Sequence, residues 1–296
     1  MAPLGKRGNG KGGLFLMAGP TSPRVTVLMP VLNPHPVYFP QAVQSVLSQT
    51  CPDFELLIVE DPSRVSGEEL LSSFQDARIR HVRNAARTSF SAQLNLGLAQ
   101  ARSDIVARMD ADDICEPGRL QAQLEHLEAN RDIMVVGSQV ALIDANGAQR
   151  GFRQYPIEHH SIIDAMPIYN PLAHPATMYR KACILDAGGY QDDVFVADYE
   201  LWCRLAVRGA RFFNLPQALI KYRVHPQGTG SSRLKECLRS TLRVKRRYWA
   251  RRVKMGARLR MLMEESALHL PGSVLSGLFW MRHLGLGSSY KGGIGT

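Results

Sequence analysis

The sequence contains few cysteines, and their spacing does not suggest pairing. There are five, widely separated and without a Cys-x-x-Cys motif: Cys51, Cys115, Cys183, Cys203 and Cys237. An odd, scattered set argues against both a disulfide framework and a cysteine-bound zinc ion, and it favours a reducing compartment. We therefore expect a cytoplasmic protein.

Long apolar runs are also missing. The patch Leu14–Ala18 is too brief for a signal peptide or a membrane span, and Pro271, His269 and Arg282 interrupt the apolar stretch 267–286. We therefore expect no transmembrane helix. Residues 1–23 are rich in Gly, Pro, Lys and Ser, and they are expected to form a disordered lead-in.

The loop after the first predicted strand contains no glycine. That strand, Val25–Met29, is followed by residues 30–40, which include four prolines. A dinucleotide-binding Rossmann unit needs glycines at this point so that the backbone can approach the pyrophosphate. No Walker-type Gly-Lys-Ser/Thr run follows any predicted strand either. Both observations argue against the common nucleotide-binding loops.

Acidic residues are scarce in one basic segment. Between Arg233 and Arg260 there are twelve Lys or Arg and one acidic residue, Glu236, which accounts for the net charge of +10. Apolar residues recur there near helical spacing, which predicts an amphipathic basic helix. The helix could lie on an anionic membrane, with Tyr248 and Trp249 among the headgroups, or pack on the globular part. Nucleic-acid binding is the least favoured alternative, because it needs aromatics spread through a basic groove.

Predicted strands and helices alternate from residue 24 onward. The strands are Val25–Met29, Phe54–Glu60, Ile79–Arg83, Ile105–Met109 and Met134–Ile143, with strand-like Arg211–Phe213 and Ala218–Arg223; the helices are Gln41–Gln49, Glu68–Phe74, Ser91–Ala101, Gly118–Asn130 and Tyr199–Ala206. This order predicts an α/β fold with a mostly parallel central sheet and helices on both faces. Ligands of such sheets bind beyond the carboxyl ends of the strands.

An acidic run follows the fourth predicted strand. Residues 108–114 read RMDADDI, and because side chains alternate along a strand, Asp110 and Asp112 are expected to share one hard divalent cation. Such a cation suits a nucleoside diphosphate, although a solvated Asp-rich turn is the alternative. A second acidic loop begins at Glu60 and Asp61 on the same sheet edge. The repulsion between the two loops calls for a cation or for hydrogen-bond donors.

Further segments occur in a characteristic order between residues 24 and 232. They read VTVLMPVLN (25–33), SVLSQTCPDFELLIVED (45–61), LNLGLAQARSDIVARMDADDICEPGRLQAQ (94–123), AHPATMYRK (173–181), GGYQDDVFVADYELWCRLA (188–206) and YRVHPQGTGSS (222–232). Together they resemble the inverting glycosyltransferase family 2, which has the GT-A fold. The resemblance implies a Rossmann-like GT-A domain over residues 24–232, followed by a basic helical extension over residues 233–296.

The resemblance also implies roles for individual residues. Asp112 would bind Mn²⁺ or Mg²⁺ on the donor diphosphate, with Asp110 near the ribose and the metal. Asp61 would bind the nucleobase, and Asp198 would be the catalytic base. The donor pocket would further include Pro30, Asn33 and Arg87, and a tentative set at the acceptor or diphosphate consists of His174, Trp202, Arg223 and His225.

The implied reaction accounts for these residue types. A nucleoside diphosphate leaves readily once a cation neutralises its charge, so the remaining task is to take the proton from the acceptor hydroxyl. We expect transfer, with inversion, from a UDP-linked sugar to a saccharide or lipid-linked glycan in envelope polysaccharide biosynthesis, at the inner face of the cytoplasmic membrane. A non-catalytic nucleotide-sugar-binding protein is the alternative.

Several assignments keep simpler alternatives. Asp198, just before the predicted start of a helix at Tyr199, could be only an N-cap. The family often has Glu where this chain has Ala197, which leaves Glu200 as a second candidate for the base. Trp202 and His174 could be core residues, and Arg223 and His225 could be structural.

Overall fold

The computed structural model describes residues 22–225, 233–250, 255–272 and 274–275. The expected lead-in lies outside this part of the chain except for its last two residues, 22 and 23. The expected C-terminal extension is described only in the stretches that begin at residue 233.

Every predicted helix, and every predicted strand up to Ile143, is present with ends that shift by a few residues. The strands are β1 (Val25–Val31), β2 (Phe54–Glu60), β3 (Ile79–Arg83), β4 (Ile105–Arg108), β5 (Ile114–Cys115), β6 (Ile133–Ile143), β7 (Gln149–Arg153), β8 (Met178–Arg180) and β9 (Arg211–Arg223). The helices are α1 (Tyr38–Leu47), α2 (Gly67–Leu71), α3 (Phe90–Gln100), α4 (Arg119–Ala129), α5 (His159–Ala165), α6 (Lys181–Asp186), α7 (Ala197–Val207), α8 (Leu234–Trp249) and α9 (Met255–Ala267). Of these elements, β5, β7, β8, α5 and α6 were not predicted.

The strands form one mixed sheet in the order β3-β2-β1-β4-β8-β6-β9-β5, with β7 paired to β6. Strands β1 to β4 run parallel, as predicted. The second half is mixed, because β8 is antiparallel to both β4 and β6 whereas β6 and β9 are parallel. The carboxyl ends of β1, β2 and β4 therefore meet at one edge, where ligands of such sheets bind.

One long strand, β9, replaces the two short strands predicted near its ends. Ser138 pairs with Leu215, and the next residue, Gln139, pairs with Ala218, so Pro216 and Gln217 bulge out of the ladder. Proline has no N–H to donate to a neighbouring strand, which is why strand prolines are found at edges and bulges. The bulge lets β9 continue to Arg223, beside the acidic run.

Both faces of the sheet are buried. Along β1, Val27 and Met29 pack on one face with α1 and α4, while Leu28 packs on the other face with α3 and α7. This alternation follows from the two-residue period of a strand. It explains why the strands of the parallel half read as nearly continuous apolar runs.

Helix α8 packs on the domain. Its apolar residues Leu242, Val244 and Trp249 are buried, and the Trp249 indole donates to Sγ of Cys203 at 3.2 Å. The Tyr248 hydroxyl donates to Glu200 in α7. The alternative that placed Tyr248 and Trp249 among lipid headgroups is therefore wrong, because the apolar face of this helix is used inside the protein.

Within the described ranges, no helix combines the length and the apolarity needed to cross a bilayer. All five cysteines are free thiols.

Candidate active site

Three carboxylates gather at the carboxyl end of β4. The strand ends at Arg108, so the two-residue alternation does not extend through the following turn. One ligand oxygen from each of Asp110, Asp112 and Asp113 lies within 4.8 Å of the other two. The sequence argument selected Asp110 and Asp112 as ligands and left out Asp113. The third acidic residue of the run was the available signal.

In the acidic cluster, Asp110, Asp112 and Asp113, one buried carboxylate oxygen is left without a hydrogen-bond partner among the described residues. Asp113 Oδ1 accepts the Arg223 amide at 2.8 Å, whereas its buried Oδ2 has no partner in the described part of the chain. Burial raises the pKa of Asp113 well above its usual value, and the neighbouring carboxylates raise it further. Burial also raises the pKa of Asp110, although Arg108 lies 2.5 Å away and opposes this. This set of hard oxygen donors fits a divalent cation.

Two residues near the end of β9 brace this cluster. The Arg223 side chain donates to the carbonyl of Asp112 at 2.8 Å and to Gln41 Oε1 at 3.0 Å, and its guanidinium stacks 4.2 Å from the Tyr38 ring. His225 Nε2 lies 3.0 Å from Asp112 Oδ2. Both residues therefore lie at the site, Arg223 as a support of the acidic turn and His225 in contact with a candidate ligand.

Asp198 lies in the first turn of α7. The helix begins at Ala197 and its N-cap residue is Val196, so Asp198 is the second helical residue and not the N-cap. Its carboxylate still interacts with the Tyr199 amide in the first turn. Its Oδ2 accepts a hydrogen bond of 2.7 Å from Asn170 Nδ2. Burial raises the pKa of Asp198, while hydrogen bonds and Arg108 oppose the rise. A raised pKa makes a carboxylate a stronger proton acceptor near neutral pH.

The second carboxylate considered as a base, Glu200, is already engaged. It is buried, pairs with Arg204 at 2.9 Å and accepts from the Tyr248 hydroxyl. A carboxylate held between a guanidinium and a phenol is poorly suited to accept a proton from a substrate. Of the two candidates, Asp198 fits the role of base better.

Arg108 connects the two halves of the site electrostatically. Its side chain is 2% exposed and pairs with Asp110, and its charge also lowers the pKa of Asp198. Its guanidinium lies 5.5 Å from the Phe90 ring centroid. Sequence reasoning did not select Arg108, because a single basic residue at a strand end carries no distinctive signal.

The carboxylates of the second acidic loop accept hydrogen bonds from neighbouring groups. Both oxygens of buried Asp61 accept hydrogen bonds, from Asn84 Nδ2 at 2.6 Å and from the Thr88 amide at 2.7 Å. Glu60 instead accepts the Gly67 amide at 2.8 Å and faces His81 at 2.6 Å. Asp61 thus holds the loop at residues 84–88 against the end of β2. Glu60 instead contacts the start of α2 and the strand β3.

The other residues expected in the donor pocket lie on the same edge. Pro30 is buried near the end of β1, and Arg87 is exposed in the loop that Asp61 holds. Asn33 adopts a left-handed φ of 50°, which asparagine tolerates better than most residues, and its amide donates to Ser63 Oγ at 3.1 Å. The loops after β1 and β2 are therefore joined.

Comparison with known proteins identifies the family. The family model described as Glycosyl transferase family 2 matches residues 26–183. The O-antigen biosynthesis glycosyltransferase WbnJ of Escherichia coli is 32% identical over 227 residues, which is 74% of this chain and 87% of that protein. The chain belongs to glycosyltransferase family 2. Its sequence resemblance to this family and its assignment as a glycosyltransferase are thereby confirmed.

Two further similarities extend the comparison. A second Escherichia coli relative of this family 2 chain, UDP-Gal:alpha-D-GlcNAc-diphosphoundecaprenol beta-1,3-galactosyltransferase, is 29% identical over 208 residues, 68% of the chain and 74% of the relative. The mannosyltransferase PcManGT from Pyrobaculum calidifontis, solved in complex with GDP-Man and Mn²⁺, has a TM-score of 0.58 at 18% identity and covers 91% of this chain and 77% of its own. The fold is that of GT-A glycosyltransferases, as predicted.

Two residues tentatively placed at the acceptor, His174 and Trp202, are buried in the family 2 domain. His174 is buried, and its Nε2 lies 3.0 Å from the Tyr190 hydroxyl. Burial, together with Arg108, lowers the pKa of His174 well below its usual value, so the ring is neutral. The fully buried Trp202 ring packs edge-on against it at 6.1 Å. These contacts match the alternative in which both are core residues.

Proposed function

We propose that this family 2 glycosyltransferase moves a sugar from a UDP-linked donor to a hydroxyl of a glycan acceptor, with inversion at the anomeric carbon. The observation that carries the proposal is that the acidic cluster and the carboxylate of Asp198 both interact electrostatically with the buried Arg108. One part is suited to a metal-bound diphosphate and the other to an acceptor hydroxyl.

The donor would bind along the edge formed by β1, β2 and β4. Asp110, Asp112 and Asp113 would hold Mn²⁺ or Mg²⁺, which neutralises charge on a leaving diphosphate. The loop that Asp61 fastens would line the nucleoside pocket, together with Asn33. The named donor of the galactosyltransferase relative, UDP-Gal, supports a UDP-linked sugar here.

On the acceptor side, Asp198 would act as the general base. It takes the proton from the acceptor hydroxyl while that oxygen forms a bond to the anomeric carbon, and the bond from that carbon to the diphosphate oxygen breaks. Attack opposite the leaving group inverts the configuration. The relatives named for O-antigen biosynthesis and for a diphosphoundecaprenol-linked acceptor support a lipid-linked envelope glycan as the acceptor.

Contact with an anionic membrane, at the inner face of the cytoplasmic membrane, would bring the enzyme to such an acceptor. The sequence assigned this contact to the basic segment, and the apolar face of α8 is buried. Helix α9 presents Met255, Leu259, Leu262 and Met263 with exposed fractions of 60–80%, at the spacing of one helical face. The basic residues Arg258 and Arg260 lie on the same helix. An exposed apolar face beside basic residues suits a bilayer with acidic headgroups.

Sedimentation with vesicles tests this membrane contact. The protein is expected to pellet with phosphatidylglycerol vesicles but not with phosphatidylcholine vesicles, and the double variant Leu259→Glu/Leu262→Glu should stay in solution. Phe152→Glu, at an equally exposed position in β7, is the matched control and should still pellet. Absence of pelleting by the unmodified protein, or an oligomer that the double variant disrupts, would rule out this contact.

The reaction itself is tested in two steps. Thermal shift with Mn²⁺ and a panel of UDP-linked sugars and GDP-mannose selects the donor, because a ligand that binds the native state raises the melting temperature. Asp198→Asn should then keep donor binding and lose transfer by at least about a hundredfold, as expected for removal of a general base. Asp164→Asn, at an exposed position in α5, is the control. Transfer by Asp198→Asn at the normal rate, or retention of configuration by proton NMR, would contradict the mechanism.

A further inference from the structure

The carboxylate of Asp198 is oriented by a side chain from another part of the chain. Asn170 Nδ2 donates to Asp198 Oδ2 at 2.7 Å. The orientation of the amide is itself fixed, because Asn170 Oδ1 accepts the Leu172 backbone amide at 3.3 Å, and a backbone N–H can only donate. The NH₂ group therefore faces the carboxylate, and Asp198 Oδ2 is the oxygen that it engages.

The backbone leading into Asp198 is held by α8. Ser240 Oγ accepts the amides of Phe195 at 2.8 Å and of Val196 at 3.3 Å. Val196 is the N-cap residue of α7, and its own side chain makes no capping hydrogen bond. The amides at a helix start need acceptors, and here a hydroxyl from a later helix supplies one. Ser240 is buried at this contact.

Neighbouring contacts hold the same approach segment, residues 191–196. From α8, Arg243 donates to the Asp193 carbonyl at 3.0 Å and Arg247 pairs with the Asp193 carboxylate at 2.6 Å. From α3, the Ser91 hydroxyl donates to the Gln191 carbonyl at 2.8 Å. The approach segment is thus fixed on two sides, and a change in α8 would shift the start of α7.

We propose that Asn170 and Ser240 are positioning residues for the base Asp198, Asn170 by orienting its carboxylate and Ser240 by fixing the turn that carries it. This inference rests on the proposed function, in which Asp198 accepts the acceptor proton. It makes α8, which lies beyond the matched residues 26–183, part of the catalytic machinery. Misplacement of a reacting group by about 1 Å is enough to cost about a hundredfold in rate.

The hydrogen bond from Asn170 also contributes, with the Tyr199 amide and Arg108, to how readily the base is protonated. It lowers the pKa of Asp198 against the effect of burial, so its removal should raise that pKa further. The titratable groups that interact with Asp198 are Arg108 on β4, Tyr190 before α7, Cys203 on α7 and Cys237 on α8. A base must be ionised to act, so a raised pKa moves the acidic limb of the pH–rate profile to higher pH.

The test measures kcat, donor KM and the pH dependence of kcat/KM in the full-length protein. Asn170→Ala is expected to lower kcat by about 10- to 100-fold with donor KM within about twofold, and to move the acidic limb to higher pH. Asn130→Ala, which removes an amide that donates to the His126 carbonyl at the end of α4, is the matched control. Ser240→Ala should lower kcat by about tenfold, and Ser240→Thr, which keeps the hydroxyl, should restore most of it.

The outcomes separate this inference from the proposed function. If the unmodified protein transfers sugar but Asn170→Ala and Ser240→Ala keep its kcat and pH profile, the positioning role is wrong. If Asn170→Ala does not fold, Asn170→Asp keeps the shape and opposes a second carboxyl group to Asp198, so an unmoved acidic limb in that variant also refutes the role. If the unmodified protein transfers no sugar from any donor, the proposed function fails instead.

Discussion

The ammonium group of Lys245 lies 2.6 Å from Oε2 of Glu264, and this ion pair joins α8 to α9. The Lys245 side chain is 1% exposed, the Glu264 side chain 20% exposed, and the ammonium also donates to the Ile168 carbonyl at 2.7 Å. Burial lowers the pKa of Lys245, and Glu264 opposes this effect. The charge on Lys245 therefore depends on its partner across the two helices.

Removal of Glu264 should destabilise the protein. Glu264→Ala leaves a buried ammonium without its carboxylate, which is expected to lower the free energy of unfolding by about 1–3 kcal/mol. The next residue offers a matched control, because Glu265 pairs with Arg246 on the surface. Glu265→Ala should change the free energy of unfolding little. Urea denaturation followed by circular dichroism measures both, and equal losses would contradict the role of burial.

Two helical glycines should respond oppositely to the same substitution. A Cβ at Gly97 would lie 2.2 Å from Leu28 Cδ1, where α3 packs on β1, whereas a Cβ at Gly256 in α9 would meet no atom of the described residues within 4 Å. Gly97→Ala is expected to destabilise the protein by about 1–3 kcal/mol, because the core must shift to accept it. Gly256→Ala should stabilise it by about 0.4–1 kcal/mol, because alanine lowers the conformational entropy of the unfolded chain. Differential scanning calorimetry measures the melting temperature of both variants. A shift of the melting temperature in the same direction for both would be inconsistent with the packing.

Substitutions of the adjacent residues Asp61 and Glu60 should have different effects, one on donor binding and the other on stability. Asp61→Ala releases the loop at residues 84–88 and should raise the donor KM by about tenfold, the loss of one to two hydrogen bonds. Glu60→Gln weakens the contact with His81 behind the sheet edge and should lower the melting temperature with donor KM unchanged. Initial rates over a range of donor concentrations give KM. An unchanged KM in Asp61→Ala would show that its loop does not line the donor pocket.

Asp113 should contribute to cation binding, although the alternation of side chains along the strand selected only Asp110 and Asp112 as ligands. Asp113→Ala removes one of the three clustered carboxylates and is expected to weaken Mn²⁺-dependent UDP binding by at least about tenfold. Asp104→Ala, at a fully exposed position just before the same strand, is the matched control. Isothermal titration calorimetry with and without EDTA measures the metal dependence. Equal UDP affinities of the two variants in the presence of Mn²⁺ would show that Asp113 is not a ligand of the cation, and that Asp110 and Asp112 bind it without Asp113.

The parallel half of the fold followed from the sequence because each strand is an apolar run bounded by turn residues. Residues 150–195 did not, since their elements are short: β8 has three residues, and α6 has six. Such elements are stabilised by pairing with distant strands more than by local preference. The bulge at Pro216 was not predicted for the same reason, because pairing with β6 keeps the chain extended on both sides of it.

The candidate site divides in the same way. Asp110, Asp112 and Asp198 stand in local motifs that the sequence displays. Asn170 reaches Asp198 across 28 residues and Ser240 reaches Phe195 across 45, so only the folded chain brings these pairs together. A single asparagine or serine has many structural uses, and neither carries a signal of its own.

The strand β8 has a consequence for how substrates enter. It is hydrogen-bonded to β4 on one side and to β6 on the other, so the parallel half and the mixed half belong to one continuous sheet. Two lobes joined by a hinge could open and close around a substrate, but a continuous sheet cannot do so without breaking its backbone ladder. In the proposed reaction, any opening of the site would therefore fall to the loops beyond the strand ends.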